Sequence, residues 1–167
     1  TVTYVSPTSV PSISTVVFTN YEMIAVTNSS VWATGGVTQT ALNQINLRGN
    51  DVAAFVCQGG ALFGSTGSYL TNQFGYVAAL GSISTTTTGS YGNPTYTLTP
   101  AGVSFGFPNT APYINGGGWH NTFSTWPSFL TVLARTAPGA GPTDSIIAVG
   151  GMSVCPPPPN PVGDCCD

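Results

Sequence analysis

Short runs of β-branched and aromatic residues, each closed by glycine or proline, recur along the chain and constrain its fold more than any other feature. Such runs are typical of strands, because branched side chains pack well on a pleated surface, and glycine and proline are the usual turn residues. The pattern predicts a hairpin loop at 19–21. It predicts strands over 1–5, 13–18, 22–26, 31–32, 51–57, 74–83, 94–99, 103–107, 129–134 and 146–154.

Helix-forming residues are scarce. Only residues 40–47 have room for two helical turns, and the asparagines in that segment argue against even these. Short strands at this spacing predict an all-β fold, a single antiparallel β-sandwich of jelly-roll or immunoglobulin-like type with long Gly/Pro-rich loops. A closed barrel is the alternative. We expect the sandwich to span 1–155 and an extended proline-rich C-terminal arm to span 156–167, because a polyproline segment is stiff and extended.

Charged residues are unusually rare in this chain. Charged residues make up 4% of the chain, with two Lys or Arg residues in total, against roughly 25% in an average domain. So few cations cannot follow a phosphate backbone, which excludes nucleic acid as a partner. The chain has no apolar stretch long enough to span a membrane, so membrane insertion is not expected. A surface hydrated by Thr, Ser, Asn, Gln and Gly suits a place outside the cytosol, so we predict an extracellular, cell-surface or virion-surface location.

One motif matches a catalytic pattern by letter. Residues 102–106 read Gly-Val-Ser-Phe-Gly, the G-x-S-x-G pattern of a nucleophile elbow, which requires a strand before the serine and a helix after it. No acidic residue separates Ser104 from His120, the only histidine. We therefore predict a strand here, no catalytic residue and no enzyme, with a secreted hydrolase as the third interpretation. No local pair of carboxylates suggests glycoside hydrolysis. No Cys/His spacing suggests a zinc site, so neither metal nor cofactor is expected.

A long segment over 108–127 is rich in aromatic residues and is predicted to be a loop. Flat aromatic rings beside Asn, Thr and His donors are usual equipment for binding sugars or a partner surface. The alternative is that the two tryptophans close one end of the sandwich as core residues. The candidate binding residues are Tyr113, Trp119, His120 and Trp126.

Three of the four cysteines lie near the C-terminal prolines. Cys57 and Cys155 each end a predicted strand, so a disulfide between them is geometrically reasonable. Cys165 and Cys166 are adjacent, and a bond between neighbours closes a strained ring. We predict that these two bond either back to the domain or to a neighbouring subunit, in a compartment where disulfides persist.

These features predict a non-enzymatic structural subunit of an extracellular or virion-surface assembly: a filament subunit, a capsid or decoration protein, or a tail component. Its partners would be copies of itself or other structural subunits, held through strand edges and disulfides. In that scheme residues 1–5 donate a strand to a neighbour. The alternative function is an adhesin or carbohydrate-binding module that uses the aromatic loop to bind glycans.

Overall fold

The structure is a computed structural model that describes residues 1–26, 37–65, 70–87, 96–106, 121–136 and 146–154. These residues contain three α-helices, seven β-strands and two 3₁₀ turns. The helices are α1 (Gln39–Asn46), α2 (Gly49–Cys57) and α3 (Pro100–Ser104), and the 3₁₀ turns are Phe18–Asn20 and Gly75–Val77. The strands are β1 (Met23–Val26), β2 (Gln58–Ser65), β3 (Ser84–Thr87), β4 (Tyr96–Leu98), β5 (Asn121–Thr125), β6 (Thr131–Thr136) and β7 (Ile146–Val154).

The seven described strands belong to one hydrogen-bonded sheet of mixed direction. Strand β7 is central, with β2 antiparallel on one edge and β6 antiparallel on the other. Strand β1 lies parallel to β2, and β4 extends the sheet beyond β6. Strands β3 and β5 form a two-stranded ladder that joins β7 at the single pair Phe123↔Ile146. Among the described strands, β1, β3 and β4 are thus each paired on one edge only.

The parallel pairing of β1 with β2 is explained by the helices between them. Parallel neighbours cannot be joined by a tight hairpin and need a crossover connection, usually helical. Helix α2 lies against β2 and β7. It buries Val52, Phe55 and Val56, whose i, i+3, i+4 spacing forms one helical face. Helix α1 begins at the hydroxyl of Thr38, which accepts a hydrogen bond from the Ala41 amide at 3.2 Å.

The main core lies between these two helices, the N-terminal segment and one face of the sheet. Leu62 of β2 points into this core. The next residue, Phe63, packs on the other face, because successive side chains of a strand point to opposite sides. The main core consists of Ile13, Val16, Phe18, Ile24, Ala41, Leu42, Ile45, Val52, Phe55, Val56, Leu62, Tyr76, Val77, Phe123 and Leu130.

Helix α3 packs on the opposite face of the sheet, against β4 and β6. Thr99 caps it: the hydroxyl accepts from the Gly102 amide at 3.1 Å and donates to the Val132 carbonyl oxygen at 2.6 Å. A second, smaller core lies beneath α3, where Leu133 and Ala134 contact Phe63, Leu98 and Ala101. The sheet therefore carries helices on both faces.

The predicted all-β β-sandwich, jelly-roll or immunoglobulin-like, is wrong. Residues 51–57 were expected to form a strand and instead form most of α2. Their β-branched side chains do favour strands, but the burial of three residues at helical spacing outweighs this weak preference. Residues 103–107 were also expected to form a strand, yet 103–104 end α3. Proline at the first helical position, preceded by a threonine cap, starts that helix.

Of the other strand predictions that fall on described residues, four are confirmed and three are wrong. The strands predicted at 22–26, 94–99, 129–134 and 146–154 overlap β1, β4, β6 and β7 and are confirmed in the described residues, which exclude 94–95. Residues 1–5, 13–18 and 74–83 form no strand, and 19–21 is not a hairpin loop, because β1 follows a 3₁₀ turn and pairs with β2. The predicted strand at 31–32 and the C-terminal arm lie outside the described residues. No helix in the described part of the chain is long and apolar enough to cross a membrane.

Candidate functional site

The aromatic segment predicted to bind sugars is described only at its C-terminal end. Tyr113, Trp119 and His120 lie outside the described residues. Residues 121–125 form strand β5, so this part of the predicted loop is wrong. Trp126 follows that strand, is half-buried and packs against the main core. This position matches the alternative in which the Trp126 ring closes the core, and a binding role for the segment stays a prediction.

Cys57, the last residue of α2, is disulfide-bonded. Cys155, Cys165 and Cys166 lie outside the described residues, so the identity of its partner stays a prediction. The ladder between β2 and β7 places Gln58 opposite Val154. The residue that follows Val154 in the chain is Cys155, the partner predicted from the sequence.

The G-x-S-x-G motif has a different geometry from a nucleophile elbow. Ser104 is exposed at the end of a helix, whereas an elbow places the serine between a strand and a following helix. Gly106 has φ of +84°, the left-handed conformation that ends many helices. Gly102 is buried where α3 approaches the backbone of β6. Both glycines of the motif thus have structural roles.

The other side chains that could bind a metal or take part in a reaction do not form a cluster among the described residues. The described residues contain no group of three His, Cys, Asp or Glu side chains that could hold a metal ion. Tyr76 is fully buried, and this burial raises the pKa of its phenol well above the ordinary value. A phenol sealed inside the core is not accessible to a substrate.

Exposed apolar side chains are concentrated at the start of the described structure. Eight large apolar side chains are exposed in the part of the chain that the structure describes. Three of them, Leu47, Val103 and Phe105, lie elsewhere in the chain. The other five, which we call the N-terminal apolar residues, lie within the first 23 positions: Val2 (76% exposed), Tyr4 (89%), Val10 (99%), Val17 (54%) and Met23 (42%).

Residues 1–18 are called the N-terminal segment below. A serine-rich turn at residues 6–9 stabilises this segment by hydrogen bonds. The Ser6 amide donates to Ser9 Oγ at 2.8 Å, the Ser9 amide donates to Ser6 Oγ at 3.1 Å, and the Ile13 amide donates to the Ser6 carbonyl oxygen at 3.1 Å. Ile13 and Val16 then enter the main core, and Val5 packs against it. Residues 1–4 precede this anchored turn, and all four are exposed.

Arg48, which directly precedes α2, binds the N-terminal segment to that helix. Its Nη1 donates to the carbonyl oxygens of Ile13 at 2.9 Å and Val16 at 2.6 Å. Its Nε donates to Asp51 Oδ2 at 2.8 Å, and its guanidinium lies 4.2 Å from the centre of the Phe18 ring. One cation therefore links the N-terminal segment to α2 by four contacts, in a chain that has two Lys or Arg residues.

The outer edge of β1 has hydrogen-bonding groups that point away from β2. The Ala61 amide of β2 donates to the Glu22 carbonyl oxygen at 2.9 Å, so the amide and carbonyl of Glu22 face β2. Because these groups alternate sides along a strand, those of Met23 and Ala25 face outward. No described residue pairs with that edge. Natural edge strands are usually protected by lysine, proline or a bulge, and β1 has none of these.

A shallow groove of about 420 Å³ lies between residues 70 and 85. Its lining includes the amides of Asn72 and Gln73, the hydroxyls of Ser82 and Thr85, and the ring of Phe74, with no charged side chain. Asn72 has φ of +51°, and its carbonyl oxygen accepts from Asn46 Nδ2 at 2.9 Å. Such uncharged polar walls fit a neutral ligand better than an ion.

Comparison with known proteins adds no relative. No protein-family model matches the chain, and neither do the curated proteins or the solved structures with which it was compared.

Proposed function

We propose that the chain is a non-enzymatic structural subunit of an extracellular or virion-surface assembly and that copies of it associate through their strand edges. The observation that carries this proposal is the concentration of exposed apolar side chains at the N-terminal end. Val2, Tyr4 and Val10 are each at least three-quarters exposed. Soluble monomers commonly expose single apolar residues. Here five of the eight exposed in the described part of the chain fall within 23 consecutive positions, and contiguous apolar surface is typical of an interaction site.

Two further observations support the proposal. Charged residues are so few that copies of the chain meet little electrostatic repulsion when they pack together. The disulfide at Cys57 fits a location outside the reducing cytosol, where such bonds persist. Both support the proposal that the chain packs against its own copies outside the cytosol.

Replacing Val2, Val10 and Val17 by threonine is expected to shift the oxidised protein from large assemblies toward monomer. The substitution keeps the β-branched shape and removes the apolar surface that association would bury. Sedimentation velocity over a range of protein concentrations measures the effect. Because the surface has few charges, assembly of the unaltered chain is expected to be nearly independent of salt.

Leu47→Thr with Val103→Thr is the matched control, because these side chains are 88% and 62% exposed but lie elsewhere in the chain. We expect this variant to assemble like the unaltered protein. A chain that sediments as a monomer at every concentration would contradict the proposed function.

Carbohydrate binding is the second candidate, and the uncharged groove between residues 70 and 85 is the observation that favours it. If the groove binds a neutral glycan, Asn72→Gly and Ser82→Ala should weaken binding on a glycan array at least tenfold. Glycine is chosen at position 72 because it accepts the positive φ there without strain. Unchanged binding would exclude the groove and leave the segment 108–127 as the candidate surface, and no binding at all would contradict this function.

A further inference from the structure

We propose that residues 1–4 of one copy add a strand to the outer edge of β1 in a second copy. This inference rests on the proposed function and specifies the contact that would join the subunits. Each chain combines the exposed residues 1–4, the unpaired edge of β1, and an anchored turn that lies between them in the sequence.

The acceptor is defined by hydrogen bonding. Met23 and Ala25 present their amides and carbonyls outward, and no described residue pairs with them. Two residues with one donor and one acceptor each offer up to four hydrogen bonds to an incoming strand. The side chains of this strand alternate, with Ile24 in the main core and Met23 and Ala25 exposed. An added strand would therefore continue the sheet without disturbing the core.

Residues 1–4 suit the role of donor strand by their residue types and by their number. Residues 1–4 read Thr-Val-Thr-Tyr, all of which favour strands, yet they form no strand within their own chain. Val2 and Tyr4 would lie on one face of the added strand, since side chains alternate. Four residues in a strand span roughly 13 Å, and β1 also has four residues. The two segments therefore match in length.

The anchoring of the donor favours a second copy over the same chain. The Ser6–Ser9 bonds and the two carbonyls held by Arg48 fix the chain between the donor and β1. Within one chain the donor does not lie on its own β1 edge, because β1 pairs with β2 alone among the described strands. Because the donor segment and the acceptor edge are different parts of the chain, their contact is head-to-tail, and such contacts form closed rings or open filaments.

The test uses two complementary variants of the full oxidised chain. Ala25→Pro removes an outward amide of the acceptor and spares the bonds between β1 and β2. Val2→Pro with Thr3→Pro damages the donor, because successive amides point to opposite sides and one of them must face the acceptor. We expect each variant alone to sediment as a monomer, with a thermal unfolding midpoint close to that of the unaltered protein. Ala25→Thr keeps the amide and is expected to assemble.

A mixture of the two variants decides the question. The Ala25→Pro chain keeps an intact donor and the other variant keeps an intact acceptor, so an equimolar mixture should form 1:1 dimers and nothing larger. Hydrogen exchange at the Ala25 amide should slow at least tenfold in assemblies of the unaltered chain.

Assemblies that survive Ala25→Pro would overturn this inference while leaving the proposed function intact. Loss of assembly with Ala25→Pro but not with Val2→Pro/Thr3→Pro, and no 1:1 heterodimer in the mixture, would show that two β1 edges pair with each other and would also overturn it. A chain that never assembles, whatever the variant, would contradict both proposals.

Discussion

Alanine at position 102 is expected to destabilise the protein by about 3 kcal/mol or more. Gly102 is buried in α3 against β6, and an added Cβ would overlap the Leu133 carbonyl oxygen and lie 3.0 Å from its carbon. Both atoms belong to the backbone, so relief requires a shift of the helix or of the strand. The hydrogen bonds from Thr99 to the Val132 and Leu133 carbonyls resist such a shift, because they fasten the start of α3 to the same strand.

The sign of the change in unfolding free energy distinguishes a tightly packed α3 from a loosely packed one. Alanine is a better helix former than glycine by about 1 kcal/mol, so a loosely packed helix would be stabilised by Gly102→Ala. Urea unfolding of the oxidised protein measures the difference. Ser104→Ala, on the exposed side of the same helix, should change stability by less than about 0.5 kcal/mol. Gly106→Ala should cost about 1 kcal/mol, because φ is +84° but no atom lies near. Stabilisation by Gly102→Ala would contradict the packing of α3.

The strands were predictable where the chain alternates or is bounded by turn residues. Strands β4, β6 and β7 lie in runs of β-branched and aromatic residues that glycine or proline interrupts. Strand β2 was missed because Gly59-Gly60 reads as a turn. Gly59 has φ of +93°, and the ladder between β2 and β7 is irregular between Gln58 and Ala61. The glycines therefore mark an irregularity near the start of the strand.

The helices were missed because local preference and burial disagree. Val52, Phe55 and Val56 favour strands by residue type, and their i, i+3, i+4 spacing was the signal that indicates a helix. For α3 the available signal was Thr99-Pro100, a cap residue followed by proline. The asparagines of α1 weaken an isolated helix, but tertiary packing of Leu42 and Ile45 outweighs that preference. Hydrophobic periodicity was the better guide in these helices.

The proposed interaction surface was only half predictable. The alternation of residues 1–5 suggested a strand for a neighbour, and the exposure of residues 1–4 is consistent with that use. The acceptor edge could not be predicted, because the direction in which Met23 and Ala25 point depends on pairing with a strand more than thirty residues away. Nor does any local pattern indicate that Arg48 binds carbonyls in the N-terminal segment, since those contacts span 35 and 32 positions.

Loss of the Arg48 guanidinium is expected to cost about 3 kcal/mol of folding free energy. Hydrogen bonds from a charged donor contribute about 1.5–3 kcal/mol each, and Arg48 donates two to the carbonyl oxygens of Ile13 and Val16. Its stacking on Phe18 adds about 1 kcal/mol. The contributions are not additive, and Arg48→Met keeps part of the packing, so the expected loss is below their sum. Arg48→Lys should recover only part of it, because an ammonium group cannot reproduce the planar fork.

Asp51→Asn separates the ion pair from the carbonyl contacts. Asp51 is 57% exposed, and an exposed pair contributes at most about 1 kcal/mol. We therefore expect Asp51→Asn to lower stability far less than Arg48→Met. Backbone carbonyls do not titrate, so the loss caused by Arg48→Met should be nearly as large in acid as at neutral pH. Urea unfolding of both variants at the two pH values tests this. Equal losses for the two variants would instead mean that the carboxylate, and not the two carbonyls, is what holds Arg48 and the N-terminal segment in place.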